Sequence, residues 1–110
     1  MNPETEYRTL LESKGIPLQG LGVAETALGR DDALRAVDLL HRASIAILGG
    51  DVYFKKATRI ESTYDSWHSD RIDGEDHDSF VSRSCLDSKN YIEKFPSTGD
   101  PPLFVLVIDL

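Results

Sequence analysis

One cysteine, Cys85, in 110 residues leaves no way to build an internal disulfide, and that suits a reducing compartment. Long apolar runs are absent as well. The longest, Leu103 to Ile108, is six residues, against the roughly 20 that a membrane-crossing helix requires. The first fifteen positions carry Glu4, Glu6, Arg8, Glu12 and Lys14 and contain no apolar stretch of signal-peptide length. The expectation is a cytoplasmic protein that does not engage a membrane. Glycine motifs for phosphates are missing: Gly20-Leu21-Gly22 lacks the third glycine of a dinucleotide fingerprint, and no phosphate loop with its lysine occurs. Positive charge is scarce, with 12 lysines and arginines against 19 acids, so a nucleic-acid ligand is not expected.

What is present is acid, and it is concentrated. The formal net charge is −7; positions 61 to 80 hold seven acids (Glu61, Asp65, Asp70, Asp73, Glu75, Asp76, Asp78) against Arg71, or −6, which leaves −1 elsewhere. A field of that kind steers cationic partners, although a solvated loop kept acidic for solubility gives the same count. Composition is globular, at 40% hydrophobic and 28% charged, and the length suits one domain over residues 1–110.

Local signals set out the elements. Asn2 and Pro3 are a helix start and Gly15 a stop, giving a helix over Pro3 to Lys14 expected to bury Tyr7, Leu10, Leu11 and the aliphatic stem of Lys14. Val23 to Leu28 is too short an apolar run to choose between a strand and a helical turn, with strand the preferred reading. Asp31 and Asp32 open a second helix with Ala33, Ala36, Val37 and Leu40 on one face, ending near Ala43. Ile45 to Leu48 is a strand that Gly49-Gly50 should break, and Asp51 to Lys55 is the next, with Val52 and Phe54 on one face and Tyr53 on the other. A turn at Ala57-Thr58 leads to Arg59 to Ser62. The longest helix spans Asp76 to Phe95, with Phe80, Val81, Ser84, Cys85, Ser88, Ile92 and Phe95 at helical spacing. The unbroken run Leu103 to Ile108 suits a central strand buried on both faces. The expected fold is α+β, one two-layer domain with an antiparallel or mixed sheet of about four strands carrying three helices.

No catalytic constellation emerges, and a non-enzyme without cofactor or metal is expected. The acids of Asp70 to Asp78 fail the spacing of a calcium loop, and His68 and His77 have no usual transition-metal spacing. Cys85 lies on the buried stripe of its helix, where cysteine acts as a small apolar residue. Tyr64, Trp67 and His68 interleave with Asp65 and Asp70 beside a hairpin carrying Tyr53. Rings for buried anchor area and acids for steering are what a surface for a basic partner needs; the bland alternative is that Trp67 is core.

Ile47-Leu48-Gly49-Gly50-Asp51-Val52-Tyr53-Phe54, then Ile60-Glu61, Thr63-Tyr64-Asp65, Trp67 and Asp70-Arg71, resemble the immunity protein 40 family of bacterial polymorphic toxin systems. Asp31-Asp32-Ala33-Leu34 upstream and Phe80 with Arg83-Ser84 downstream extend the similarity over roughly positions 22 to 108. The resemblance implies a cytoplasmic protein that binds and neutralises a cognate toxin domain, with no catalytic role. An acidic face would suit a basic nuclease toxin, occupying the surface meant for phosphates. The expected contact residues are Asp51, Tyr53, Tyr64, Asp65, Trp67, Asp70, Asp73, Glu75 and Asp76, with Asp51 also a candidate for bonding turn amides. Two other readings stay open: a protein-binding or scaffolding module unrelated to toxins, and a hydrolase using His68 and nearby carboxylates.

Overall fold

The computed structural model describes residues 2–22, 25–97 and 99–110. Helix α1, Pro3–Lys14, starts where the Asn2 side chain accepts the Thr5 amide at 2.8 Å and ends where the Gly15 amide reaches the Leu11 carbonyl. Helix α2, Arg30–Arg42, has Asp31 and Asp32 in its first turn and His41 and Arg42 in its last, charges that oppose its dipole at both ends. Helix α3, His77–Lys94, is capped by Asp76, whose carboxylate accepts the Ser79 amide at 2.8 Å. The buried stripe of α3 is Phe80, Val81, Ser84, Cys85, Ser88 and Ile92. Phe95 sits just past its end, partly buried.

Five strands form one antiparallel sheet: β1 Ile16–Pro17, β2 Thr26–Gly29, β3 Ile47–Lys55, β4 Ile60–His68 and β5 Pro102–Ile108, in the order β1-β2-β5-β3-β4. The apolar run of β5 is central, as its composition requires. Of the strand expected over Val23 to Leu28, Val23 and Ala24 lie outside the described residues, and the rest forms β2. Strand β4 extends well beyond the expected Arg59 to Ser62, so that Tyr64 and Trp67 are strand residues.

Gly49-Gly50 does not break the chain. The segments expected on either side are one strand, and the two-residue β1 is an addition, giving five strands instead of about four. Gly49 has φ of 151°, a backbone reserved for glycine, and a Cβ there would sit 2.2 Å from the Trp67 carbonyl oxygen. At Gly50 a Cβ would lie 2.3 Å from the Trp67 ring and 2.3 Å from the Val105 carbonyl. These glycines are strand residues: Gly49 admits the neighbouring backbone at Trp67 and His68, and Gly50 makes room for the indole. Asp51 is accordingly mid-strand, opposite Ser66 and Val105, and not at a turn.

The three helices contribute to one core on one side of the sheet, where Leu28, Val52 and Phe104 meet Leu10, Val37, Leu40, Phe80 and Ile92. The opposite face carries a smaller cluster in which Leu18, 1% exposed, packs on Ala27, Leu103 and Val105, with Tyr53 and Ile60 at its margin. Buried Ser84 accepts the Ile47 amide at 3.1 Å through its hydroxyl, tying α3 to β3. Cys85 is in the core, its thiol pushed up to about 11 chiefly by burial. No helix among the described residues is long and apolar enough to cross a membrane.

Candidate functional site

Among the described residues strand β4 pairs only with β3, which makes it an edge strand. Its ladder is broken by a bulge: Tyr53 pairs with Ser62 and Asp51 with Ser66, so Val52 alone spans Thr63, Tyr64 and Asp65. Side chains hold the irregularity. The Thr63 hydroxyl donates to the Val52 carbonyl at 3.1 Å and accepts the Asp65 amide at 3.0 Å, and the Ser62 hydroxyl accepts the Tyr64 amide at 3.0 Å. Tyr64 is left with φ of 65° and 93% exposure. A bulky side chain in left-handed backbone is strained by about 1–3 kcal/mol, and here the strain presents an aromatic ring wholly to solvent at an unpaired sheet edge.

Trp67 points the other way, toward α3. Its indole stacks on Tyr91, with centroids 4.6 Å apart and planes 24° from parallel, and its Nε1 donates to the Ser88 hydroxyl at 3.0 Å. The Ser88 hydroxyl in turn donates to the Ser84 carbonyl at 2.9 Å. Phe104 and Phe95 continue the aromatic cluster. Trp67 is therefore partly core and partly surface, since with Tyr91, Phe54 and Phe95 it lines an open groove of about 750 Å³ between β4 and the C-terminal half of α3. Asp65, His68, Asp87, Asn90, Lys94 and Pro96 complete the lining. The Tyr91 phenol is raised above its ordinary range, first by burial and then by the Asp65 charge.

Beyond His68 the acidic loop begins. Ser69, 4% exposed, pins it through its amide to the Leu48 carbonyl and its hydroxyl to Asp87, each at 2.9 Å. Two arginines hold it, one from α3 and one of its own. Arg83 grips Glu75 with two hydrogen bonds, 2.9 and 2.8 Å, and Arg71 lies over the Phe80 ring at 4.6 Å. The Arg83 hydrogen bonds, helped by the Ile72 amide, bring the Glu75 carboxyl down to about 2. The Ser79 amide and hydroxyl lower that of Asp76, the cap of α3. Glu75 and Asp76 thus serve the loop's own structure, while Asp70 and Asp73 are exposed. Asp70 approaches His68 only at 3.8 Å.

The structure brings Tyr64, Asp65 and Trp67 along one strand edge, with Asp70 just beyond it near His68, and leaves Asp73 exposed in the loop that follows. It does not bring Asp51 and Tyr53 there: they alternate with buried Val52 and belong to the opposite sheet face, where burial, then Asp51 and then Glu25 raise the Tyr53 phenol. Sequence reading missed Asp87 and Tyr91. They are four apart on the flank of α3, next to the Ser84 and Ser88 stripe, and that spacing with Phe95 was the available signal. Among the described residues no group of three or more histidine, cysteine, aspartate or glutamate side chains could hold a metal ion. His77 and His41 are engaged elsewhere, at the Ser44 carbonyl and the Ser82 hydroxyl.

The family model described as Immunity protein 40 matches residues 17–108, spanning β2 through β5 and all of the edge just described. No curated protein and no solved structure matches the chain.

Proposed function

Because the chain belongs to the immunity protein 40 family, we propose that it neutralises a cognate bacterial toxin domain by binding it along the β4 edge. Contact would come from Tyr64, Asp65 and Trp67, with Asp70 and Asp73 steering the approach. The observation that carries the choice of face is Tyr64, 93% exposed on a strained bulge that three side-chain hydrogen bonds maintain. An exposed ring beside carboxylates supplies anchor area and register together. Glu75 and Asp76 shape the loop, and Asp51 and Tyr53 would meet a partner only if it wrapped round the sheet. A basic toxin, such as a nuclease, suits the negative charge of this edge, and the cytoplasm is where such a toxin would be met.

The test is growth rescue. The toxin domain encoded next to this gene is expressed in a sensitive host with and without this protein. Rescue that disappears with Tyr64→Ala in a folded protein supports both the function and the face. A folded wild-type protein that neither rescues growth nor binds the toxin domain contradicts the assignment for that pair.

A further inference from the structure

We propose that the groove between β4 and α3 is a pocket for one arginine side chain of the partner, an assignment that rests on the toxin-binding reading for the partner's identity. The lining combines rings with carboxylates on facing walls. Trp67, Tyr91 and Phe95 supply the aromatic surface, Asp65 stands on the strand wall and Asp87 on the helix wall, and Lys94 is the only lysine or arginine among the described lining residues. Asp65 has no ion-pair partner among the described residues, and its charge already acts on the Tyr91 phenol.

A guanidinium matches this combination better than the alternatives do. It stacks on aromatic faces, pairs with carboxylates through a planar fork, and gives up water more easily than an ammonium. An anion would be repelled by Asp65; Asp87 already lies 3.7 Å from Arg83 and accepts the Ser69 hydroxyl, so the charge that calls for a cation is that of Asp65. An apolar side chain would cover Asp65 without giving it a partner, which is unfavourable. The ring stack is pre-organised, because the Trp67 indole is fixed by Ser88 and by its contact across Gly50, so little ordering remains to be done on binding.

The chain has one tryptophan, so its single indole N–H resonance reports on the groove without ambiguity. The full-length protein is titrated with N-acetyl-argininamide, N-acetyl-lysinamide and N-acetyl-leucinamide and followed by NMR. The expected result is a saturable shift of the Trp67 indole and Tyr91 signals with the arginine probe in the millimolar range. The lysine probe should bind several-fold more weakly, the leucine probe should not saturate, and Asp65→Asn should weaken arginine binding several-fold. No saturable shift, an equal response to the leucine probe, or indifference to Asp65→Asn would overturn the pocket. Since the probe requires no toxin, the two readings fail separately. Growth rescue without probe binding removes the pocket and leaves immunity standing, whereas probe binding by a protein that never binds the toxin domain removes the toxin as the source of the arginine.

Discussion

The two strands of the β3–β4 hairpin are bonded to each other and built on opposite terms. Strand β3 is paired on both sides, buries Ile47 and Val52, and uses Gly49 to accept the Trp67 carbonyl and Gly50 to accept the Trp67 ring at contact distance. Strand β4 is paired on one side, leaves Ser62, Tyr64, Asp65, Ser66 and His68 exposed, and carries a bulge with left-handed backbone at Tyr64. Nearly every feature of β3 serves stability. On β4 the costliest feature, Tyr64, contributes no burial at all, and the bulge also blunts an edge that could otherwise pair with another chain. Strain at a position that buries nothing points to a role outside the fold.

Substitutions can break this contrast. The largest effect is expected at Gly50→Val, which places atoms where the Trp67 ring and the Val105 carbonyl already stand. Overpacking there should lower unfolding stability by about 3 kcal/mol in urea titrations; a loss well under 1 kcal/mol would mean that the indole is not held against the strand. Tyr64→Gly should do two opposite things. Relief of left-handed strain, less the extra backbone entropy of glycine, should raise stability by roughly 0.5–1 kcal/mol. Toxin binding should nevertheless weaken by about 2 kcal/mol, or roughly thirtyfold. A stabilised variant with unchanged affinity, measured by calorimetry, would remove Tyr64 from the interface.

How much of this was legible in the sequence differs between the same two strands. Caps at Asn2 and the Asp31-Asp32 pair, the spacing of Phe80, Val81, Ser84 and Cys85, and the apolar run of β5 are local signals, and the elements formed where they pointed. Gly49-Gly50 misled because glycine ordinarily interrupts a strand, while its reason here is a ring seventeen positions away in sequence, Trp67 against Gly50. The full length of β4 was hidden because the bulge at residues 63–65 interrupts strand alternation, and β1 is too short to have a periodicity. At the candidate site the density of aromatics and acids was visible. The division of labour was not, since Glu75 is held by Arg83 eight residues on, whereas the turn of Tyr53 to the face opposite Val52 was readable from strand alternation.

Smaller effects are expected in the acidic loop. Charge reversal at Asp70 and Asp73, both exposed, should slow toxin association by roughly tenfold at low salt and flatten its salt dependence. Stopped-flow rates that do not change would exclude steering by this loop. The smallest effect is at Glu75. Its carboxyl is lowered from 4.5 to about 2 in the folded protein, first by the Arg83 hydrogen bonds, so the stabilisation from this pair is complete above pH 4.5 and is lost as pH falls toward 2. Glu75→Gln should melt below wild type at neutral pH, and the gap should narrow over that acidic window. A gap independent of pH would show that the Arg83 contact is not electrostatic.

If the β4 edge is the face that meets the toxin, amide hydrogen exchange with and without the toxin domain will register it on that strand. Unpaired amides along an edge strand exchange quickly in the free protein. Slowed exchange is expected over residues 63–73 and 87–96 in the complex, with β1 and β2 unchanged. Protection confined to β1, β2 and the Tyr53 face would contradict it.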